Sequence, residues 1–168
     1  EANDLTVLTA AEGQRHFTVS ENAILKLTYI KLEGGRQQSN EGSGGSILVG
    51  LGGSLHTFSC YFYDNQAVSG GAITINYDAK IVKIQNTIFE NNKAELAGGA
   101  IYVLQSDLII ENSDFNNIEK SFGFGGFAKK STLHTPIHSF FQKLIFGIRI
   151  FYTDEYKIFK KLCDLQNR

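Results

Sequence analysis

A repeated pattern of glycine pairs and phenylalanines constrains this chain more than any other feature. The glycine pair is followed by a small residue and an isoleucine, as Gly44-Gly45-Ser46-Ile47, Gly70-Gly71-Ala72-Ile73 and Gly98-Gly99-Ala100-Ile101. A phenylalanine followed three residues later by an asparagine occurs at Phe62/Asn65 and Phe89/Asn92. Self-similarity at spacings of about 20–50 residues is typical of stacked supersecondary units. The pattern therefore predicts a repeat architecture.

Alignment of the repeats places residues of one kind in the same column. The phenylalanine column contains Leu32, Phe62, Phe89 and Phe115. Two aliphatic columns lie seven and five residues earlier, namely Leu25, Leu55, Val82 and Leu108, then Leu27, Thr57, Ile84 and Ile110. Two more lie upstream, namely Phe17, Ile47, Ile73 and Ile101, then Val19, Val49, Ile75 and Val103. Apolar residues two apart point to one side of a strand, so these columns predict short strands with one buried face.

Strands of about 3–5 residues do not form a stable sheet alone, but copies of them can stack at about 4.8 Å per coil. The sequence therefore predicts an all-β fold, a parallel β-helix of about four coils near 13–35, 44–65, 70–92 and 98–118. Glycine pairs form corners, and the residue three after the phenylalanine (Gly35, Asn65 or Asn92) takes a left-handed conformation. The asparagines also hydrogen-bond between coils. A β-sandwich is less consistent, because it does not require one residue type per column.

Composition changes sharply near residue 128. Residues 1–128 carry 8 Lys/Arg and 14 Asp/Glu, whereas residues 129–168 carry 8 and 3. We therefore divide the chain into β-helix repeats, 1–128, and a basic, apolar tail, 129–168. Aligning the tail as a degenerate fifth coil places Leu133 in the column of Leu108, with Thr135, His138, Phe140 and Lys143 in later columns.

Three interpretations of the tail remain open. Apolar residues spaced three and four apart predict that 139–165 is mainly helical. Such a helix would cap the last coil, which otherwise exposes strand edges. Alternatively, it is a basic amphipathic segment that lies on a membrane surface or binds a partner. A third interpretation is that the tail is not native to the fold. The cap is favoured, since terminal coils of solenoids need covering.

The sequence offers no catalytic constellation. Glu33 and Glu90 fall in one column two coils apart, and Asp64 is the only acid in its column, so no carboxylate pair of the kind used in glycoside hydrolysis is predicted. Cys60 falls in an inward column and is interpreted as a small buried residue. His134 and His138 have a metal-like spacing, but Pro136 interrupts any helix between them. We predict no catalytic residue, no metal site and no cofactor.

One surface column is a candidate binding site. Lys26, His56 and Lys83 occupy the same outward position in three successive coils. This basic stripe would suit an acidic glycan or an anionic partner, although ordinary solvated surface side chains are the favoured explanation. The net charge of −1 gives no reason to expect nucleic-acid binding.

The two motifs resemble the repeats of the polymorphic outer membrane proteins, and the resemblance covers residues 13–128. The fourth copy departs from it at Ile118, where asparagine is expected, and Gly125-Gly126-Phe127-Ala128 is degenerate. The resemblance implies a right-handed β-helix of the pectin-lyase-like type. It also implies an adhesive or structural protein, secreted or on a cell surface (the outer membrane in bacteria), that binds host or neighbouring-cell proteins or glycans. The alternative is a polysaccharide lyase or hydrolase whose active site lies outside this chain. Membrane association is expected only if 139–165 is interfacial.

The motif residues are predicted to be structural, as corners, core columns and turns. These residues are Gly44, Gly45, Ile47, Phe62, Asn65, Gly70, Gly71, Ile73, Phe89, Asn92, Gly98, Gly99, Ile101 and Phe115.

Overall fold

The computed structural model describes residues 5–37 and 42–120, together with two strands farther along the chain. The described residues are all strand, turn or loop, and none of them is helical. No helix that could cross a membrane therefore occurs among them. The chain winds through four parallel sheets in a fixed order and then begins the next coil one level higher. The predicted all-β parallel β-helix of about four coils is confirmed.

Each coil begins in two sheets that meet at a corner. The first, the Ile sheet, carries the Gly-Gly-x-Ile motifs and consists of Phe17–Val19, Ile47–Val49, Ile73–Ile75 and Ile101–Val103. The second, the long sheet, consists of Ile24–Thr28, Ser54–Phe58, Ile81–Gln85, Ser106–Glu111, Phe127–His134 and Arg149–Ile150.

The other two sheets complete the coil. The Phe sheet carries the phenylalanine column and consists of Thr6–Thr9, Ile30–Glu33, Tyr61–Tyr63, Ile88–Glu90 and Asp114–Asn116. The short sheet returns the chain to the Ile sheet and consists of Arg36–Gln37, Gln66–Ser69, Lys93–Ala97 and Glu119–Lys120.

Strand register reproduces the sequence columns. Ile73 pairs with Ile47 on one side and with Ile101 on the other, and Val82 pairs with Leu55 and Leu108 in the same way. These inward side chains, apart from those of the first coil, are almost completely buried. Each aliphatic residue therefore packs on its own copy above and below, and burial of these columns is the main source of stability.

The phenylalanine column forms a continuous stack inside the β-helix. The rings of Phe62 and Phe89 lie 4.9 Å apart and are nearly parallel, with 5° between their planes. Phe89 and Phe115 are 4.8 Å apart with 3° between planes. Leu32 pairs with Phe62 and is fully buried at the other end of the stack. These spacings equal the distance between neighbouring strands, about 4.8 Å, so the coil repeat itself sets the stacking distance.

The first glycine of each pair forms the corner between the short sheet and the Ile sheet. Gly44, Gly70 and Gly98 have φ values of 66°, 63° and 62°. A Cβ on the second glycine would also clash, since at Gly71 it would lie 2.1 Å from the Gly99 carbonyl oxygen. The first glycine of the pair is therefore required for its left-handed conformation, and the second glycine is required for the close approach of successive coils.

The left-handed turn after the phenylalanine lies one residue earlier than predicted. Positive φ values occur two residues after the column, at Gly34, Asp64, Asn91 and Asn117. Asn65 and Asn92, which were expected in that conformation, do not have positive φ. The prediction was wrong because asparagine is used at the third position for its side chain and not for its backbone.

Asn65 and Asn92 instead form a buried hydrogen-bond ladder. The Asn65 amide group donates to the Asn92 side-chain oxygen at 3.0 Å and to the Leu32 carbonyl at 3.2 Å. The backbone N–H of Asn65 also donates to Asn92 Oδ1, at 3.1 Å, and the Gly35 N–H donates to Asn65 Oδ1 at 2.9 Å. Asn92 Nδ2 donates to the Phe62 carbonyl at 2.9 Å. The predicted bonding between asparagines of successive coils is confirmed.

The long sheet continues past the predicted boundary at residue 128. Phe127–His134 pairs in parallel with Ser106–Glu111, and Leu133 lies opposite Ile110. Our alignment placed Leu133 in the column of Leu108, so it was wrong by two residues; Ser131 occupies that position, after a register shift at the start of the pairing. Of the segment 139–165, the described residues are Arg149–Ile150, a short strand beside Phe127 and Ala128. The remainder of the expected helix lies outside the described residues.

Candidate functional site: an aromatic and charged outer face

The basic stripe lies where the sequence predicted it, on the outer face of the long sheet. Lys26 pairs in register with His56, which pairs with Lys83. Lys83 Nζ lies 3.5 Å from Glu111 Oε2, and the next residue in the column is Ile109. The stripe is therefore three residues long and is partly neutralised at one end.

The carboxylates considered in the sequence do not form an acid pair. Asp64 Oδ2 accepts a hydrogen bond from the Arg36 guanidinium at 2.8 Å, and Arg36 also donates to the Asp64 carbonyl. Glu33 and Glu90 are separated by Tyr63, which lies between them in the register. Within residues 5–37 and 42–119, no group of three or more histidine, cysteine or acidic residues is placed to hold a metal ion.

Cys60 is 2% exposed, and its thiol donates weakly to the Phe58 carbonyl at 3.4 Å. Burial raises the pKa of this thiol, which disfavours the thiolate. The interpretation of Cys60 as a small buried residue agrees with this environment.

The outer face of the Phe sheet carries a cluster that the sequence analysis did not identify. Side chains beside the buried phenylalanine column point outward in two columns, and those of the first and second coils are aromatic or charged. We call this cluster, together with the adjoining corner of the long sheet, the aromatic face. It consists of Tyr29, Lys31, Glu33, Phe58, Tyr61, Tyr63 and Glu90.

Lys31 lies at the centre of the aromatic face. Its ammonium is 4.4 Å from the ring centroid of Tyr63 and 5.5 Å from that of Tyr61, within the range of a cation–π interaction. It also lies 2.6 Å from Glu33 Oε2. This ammonium and the Thr9 hydroxyl, which donates to Glu33 Oε1, lower the pKa of the Glu33 carboxyl. Glu33 is therefore held as a carboxylate beside the two tyrosine rings.

A second polar pair lies beside it. The Tyr61 hydroxyl donates to Glu90 Oε2 at 2.5 Å. Desolvation, together with this hydrogen bond to an anion, raises the pKa of Tyr61 to about 12. The phenol therefore stays protonated at neutral pH and holds the Glu90 carboxylate at a fixed position. The Tyr61 and Tyr63 rings pack edge to face, with 5.7 Å between centroids.

Tyr29 and Phe58 form the rim of the face, at the corner between the long sheet and the Phe sheet. Their rings meet at 89° with 5.9 Å between centroids. Tyr29 is 46% exposed and Phe58 is 38% exposed, so neither ring completes the core. Aromatic rings exposed beside ordered carboxylates and an ammonium can bind a ligand by stacking and hydrogen bonding together.

The sequence did not reveal this face, because the outward columns were compared only for repeated acidic or basic residues. The two outward columns read Val7, Lys31, Tyr61, Ile88 and Asp114, then Thr9, Glu33, Tyr63, Glu90 and Asn116. Neither column carries the same residue type in successive coils, so alignment gave no signal. The available clue was the sequence Tyr61-Phe62-Tyr63, where the inward phenylalanine has tyrosines on both sides. Alternation along a strand places both tyrosines outside, on the same face.

The His16 side chain links the strand Thr6–Thr9 to the second coil by two hydrogen bonds. Its Nε2 lies 2.9 Å from the Leu8 carbonyl oxygen and its Nδ1 lies 3.0 Å from Ser46 Oγ. The neutral ring satisfies both bonds when Nε2 donates and Nδ1 accepts. Burial lowers the pKa of His16, and the Leu8 carbonyl and Glu33 oppose this shift only partly.

A pH dependence of stability follows from His16. Because its folded pKa lies below the unfolded value of about 6.5, the unfolded chain binds the proton more readily. The free energy of unfolding should therefore decrease as pH falls from 7 towards 5. His16→Gln should flatten this part of the profile, measured by denaturant unfolding at several pH values. An unchanged slope in His16→Gln would assign the dependence to other groups.

Comparison with known proteins identifies the repeat. Residues 86–104, which include Phe89, Asn92 and the third glycine pair, match the family model of the Chlamydia polymorphic membrane protein repeat. This match confirms the resemblance that the motifs indicated. No curated protein and no solved structure matches the chain significantly.

Proposed function

Because the chain carries the polymorphic membrane protein repeat on a stacked β-helix, we propose that it is an adhesive scaffold, secreted or displayed at a cell surface. In this proposal, the aromatic face binds a protein or glycan on a host or neighbouring cell. The chain itself performs no catalysis. The observation that carries the proposal is the cluster of Lys31, Tyr61 and Tyr63, half-buried on the outer face of a sheet whose inner face is packed by the phenylalanine stack.

Rigidity supports a binding role. Phe62, between Tyr61 and Tyr63, is fully buried and stacked on Phe89, so the two tyrosines are attached to a fixed strand. Lys31 and Glu90 restrain the tyrosine side chains further. A surface that is ordered before binding loses less conformational entropy when the ligand arrives, which favours affinity.

The rival function is a polysaccharide lyase or hydrolase of the same fold. Two observations within the described residues weigh against it. Asp64 forms an ion pair with Arg36, and Glu33 forms one with Lys31. A glycoside hydrolase needs two carboxyl groups facing one bond, one of them kept protonated by a raised pKa. The ion pair with Lys31 lowers the pKa of Glu33, which is the opposite of the raised pKa that such an acid needs.

Adhesion of protein-coated beads tests the proposal. Beads carrying the chain should attach to a eukaryotic cell monolayer, and the double variant Tyr61→Ala/Tyr63→Ala should reduce attachment at least about tenfold, equal to 1.4 kcal/mol of binding. The matched control is Lys26→Ala/Lys83→Ala, which removes two outward side chains from the basic stripe on another sheet. Circular dichroism and melting curves establish that both variants fold.

Three results would contradict the proposal. These are no attachment by the unaltered chain, equal attachment by the tyrosine variant, or loss of attachment in the basic-stripe variant alone. Release of unsaturated or reducing sugar products from uronate polymers, abolished by Asp64→Asn or Glu90→Gln, would establish the enzyme instead.

A further inference from the structure

A strained residue at the rim indicates what the aromatic face binds. Tyr29 has a φ of 53°, in the left-handed region that a bulky side chain rarely adopts. The same corner of the next three coils is left-handed too, and there the residues are Ser59, Asn86 and Asn112. Asparagine tolerates this conformation better than tyrosine does. The first coil therefore uses an unfavourable residue where the others use small polar ones.

Core packing does not explain this choice. The Tyr29 ring touches Phe58 edge to face, but both rings remain substantially exposed. Strain that persists without a compensating buried contact is characteristic of functional positions. Tyr29 is thus better explained by a ligand that stacks on it than by the fold.

The chemistry around Tyr29 selects the class of ligand. We propose that the aromatic face binds a neutral glycan, with one sugar ring stacked at the Tyr29–Phe58 corner and the hydroxyls of further sugar units bonded by Lys31, Glu33 and Glu90. This inference rests on the proposed adhesive function and specifies its ligand. Aromatic rings pack against the C–H faces of sugars, while carboxylates and an ammonium match hydroxyl groups as acceptors and donor.

The charges favour a neutral ligand over an anionic one. From the first to the fourth coil, the outward columns of the Phe sheet contain three acidic side chains, Glu33, Glu90 and Asp114. They contain one basic group, the ammonium of Lys31. That ammonium is already 2.6 Å from Glu33. A sulfated or uronate polymer would meet net negative charge here, so it would bind the basic stripe rather than this face.

The placement of the charges also favours a glycan over a protein. Centres of protein–protein interfaces are depleted of lysine and acidic residues, which lie at the rim instead. The aromatic face has the reverse arrangement, since Lys31 lies between the two tyrosines and Glu90 is bonded to one of them. Each carboxylate can accept about four hydrogen bonds, so Glu33 and Glu90 retain acceptor sites for hydroxyl groups.

Calorimetric titration with neutral oligosaccharides of glucose, galactose, mannose and N-acetylglucosamine, beside a uronate oligomer, tests the inference. We expect at least one neutral oligosaccharide to bind. Tyr29→Asn should weaken that binding at least tenfold while raising the melting temperature, and Tyr29→Phe should retain most of the affinity. The matched control is Gln105→Asn, at a left-handed corner with φ of 46° remote from the aromatic face. It should raise the melting temperature without changing affinity.

Failure of this inference is distinguishable from failure of the adhesive function. The inference is overturned if no neutral oligosaccharide binds, if only the uronate oligomer binds, or if Tyr29→Asn binds as well as the unaltered chain. Bead attachment is measured in parallel on cells treated with periodate, which oxidises glycans, or with protease. If attachment depends on Tyr61 and Tyr63 but survives periodate and is lost after protease, the partner is a protein. The adhesive function then stands and the glycan inference fails.

Discussion

Replacing Phe89 with alanine should lower the free energy of unfolding by about 3–5 kcal/mol, the usual cost of removing a buried phenylalanine. Phe89 is completely buried, and its ring lies between those of Phe62 and Phe115 at 4.9 and 4.8 Å. The substitution therefore removes two ring contacts and leaves a cavity between two coils. Collapse of the neighbours into this cavity is restricted, because their backbones are held by the strand pairing on both sides.

The effect should extend beyond one coil. In a solenoid each repeat is stabilised mainly by its neighbours, so weakening the third coil lowers the stability of the second and fourth as well. Urea unfolding followed by circular dichroism and by tyrosine fluorescence measures the change. The matched control is Phe58→Ala, which removes the same side chain from a partly exposed position and should cost about 1 kcal/mol. A cost for Phe89→Ala as small as that of the control would contradict the internal stack.

The inward half of the fold was predictable because each inward position meets its own copy. Ile73 packs on Ile47, and Ile101 packs on Ile73 in the same way, so the same side chain is favoured at this position in every coil. Repetition in the sequence therefore revealed the strand register and the phenylalanine stack directly. The register of Phe127–His134 was missed because the columns degenerate there and the pairing contains a shift.

The left-handed corners were harder to locate because they require a backbone conformation and not one side chain. At the corner after the phenylalanine column, glycine, aspartate and asparagine all occur, as Gly34, Asp64 and Asn91. The ladder position beside it is more selective. The side-chain amide at this position both donates to the coil below and accepts from it, which explains why asparagine recurs at Asn65 and Asn92. The asparagine that repeats in the sequence belongs to the hydrogen-bond ladder, whereas the sequence analysis placed it at the left-handed turn.

The candidate site could not be predicted in the same way. An outward side chain meets solvent, so nothing forces Lys31, Tyr61 and Ile88 to be alike although they occupy one column. The contacts of Lys31 with two tyrosines one coil higher, and of Tyr61 with Glu90, depend on side-chain direction between coils. Sequence spacing gives the column but not these contacts. Binding surfaces on repeat proteins are in general the positions where the repeat is broken.

Replacing Asn92 with alanine should cost about 3 kcal/mol or more. Its side-chain oxygen accepts from both the backbone and the side chain of Asn65, and its amide donates to the Phe62 carbonyl. Removal leaves at least two buried polar groups without a partner, at about 1–3 kcal/mol each. Urea unfolding measures the loss. Lys93→Ala is the control at the next residue, since its exposed ion pair with Glu119 should contribute less than about 1 kcal/mol.

Asn92→Asp separates the hydrogen bonds from simple packing, because it preserves the shape of the side chain. Ionised aspartate keeps the acceptor for Asn65 but loses the donor to the Phe62 carbonyl, and it places a charge at a site with no exposed surface. Burial should raise its folded pKa above the unfolded value of about 3.9. The folded state then binds the proton more strongly, so relative to the unaltered chain the variant should be most stable near pH 4 and lose stability as pH rises towards 8. A stability difference from the unaltered chain that does not change with pH, or a cost for Asn92→Ala no larger than that of Lys93→Ala, would show that the ladder contributes packing alone.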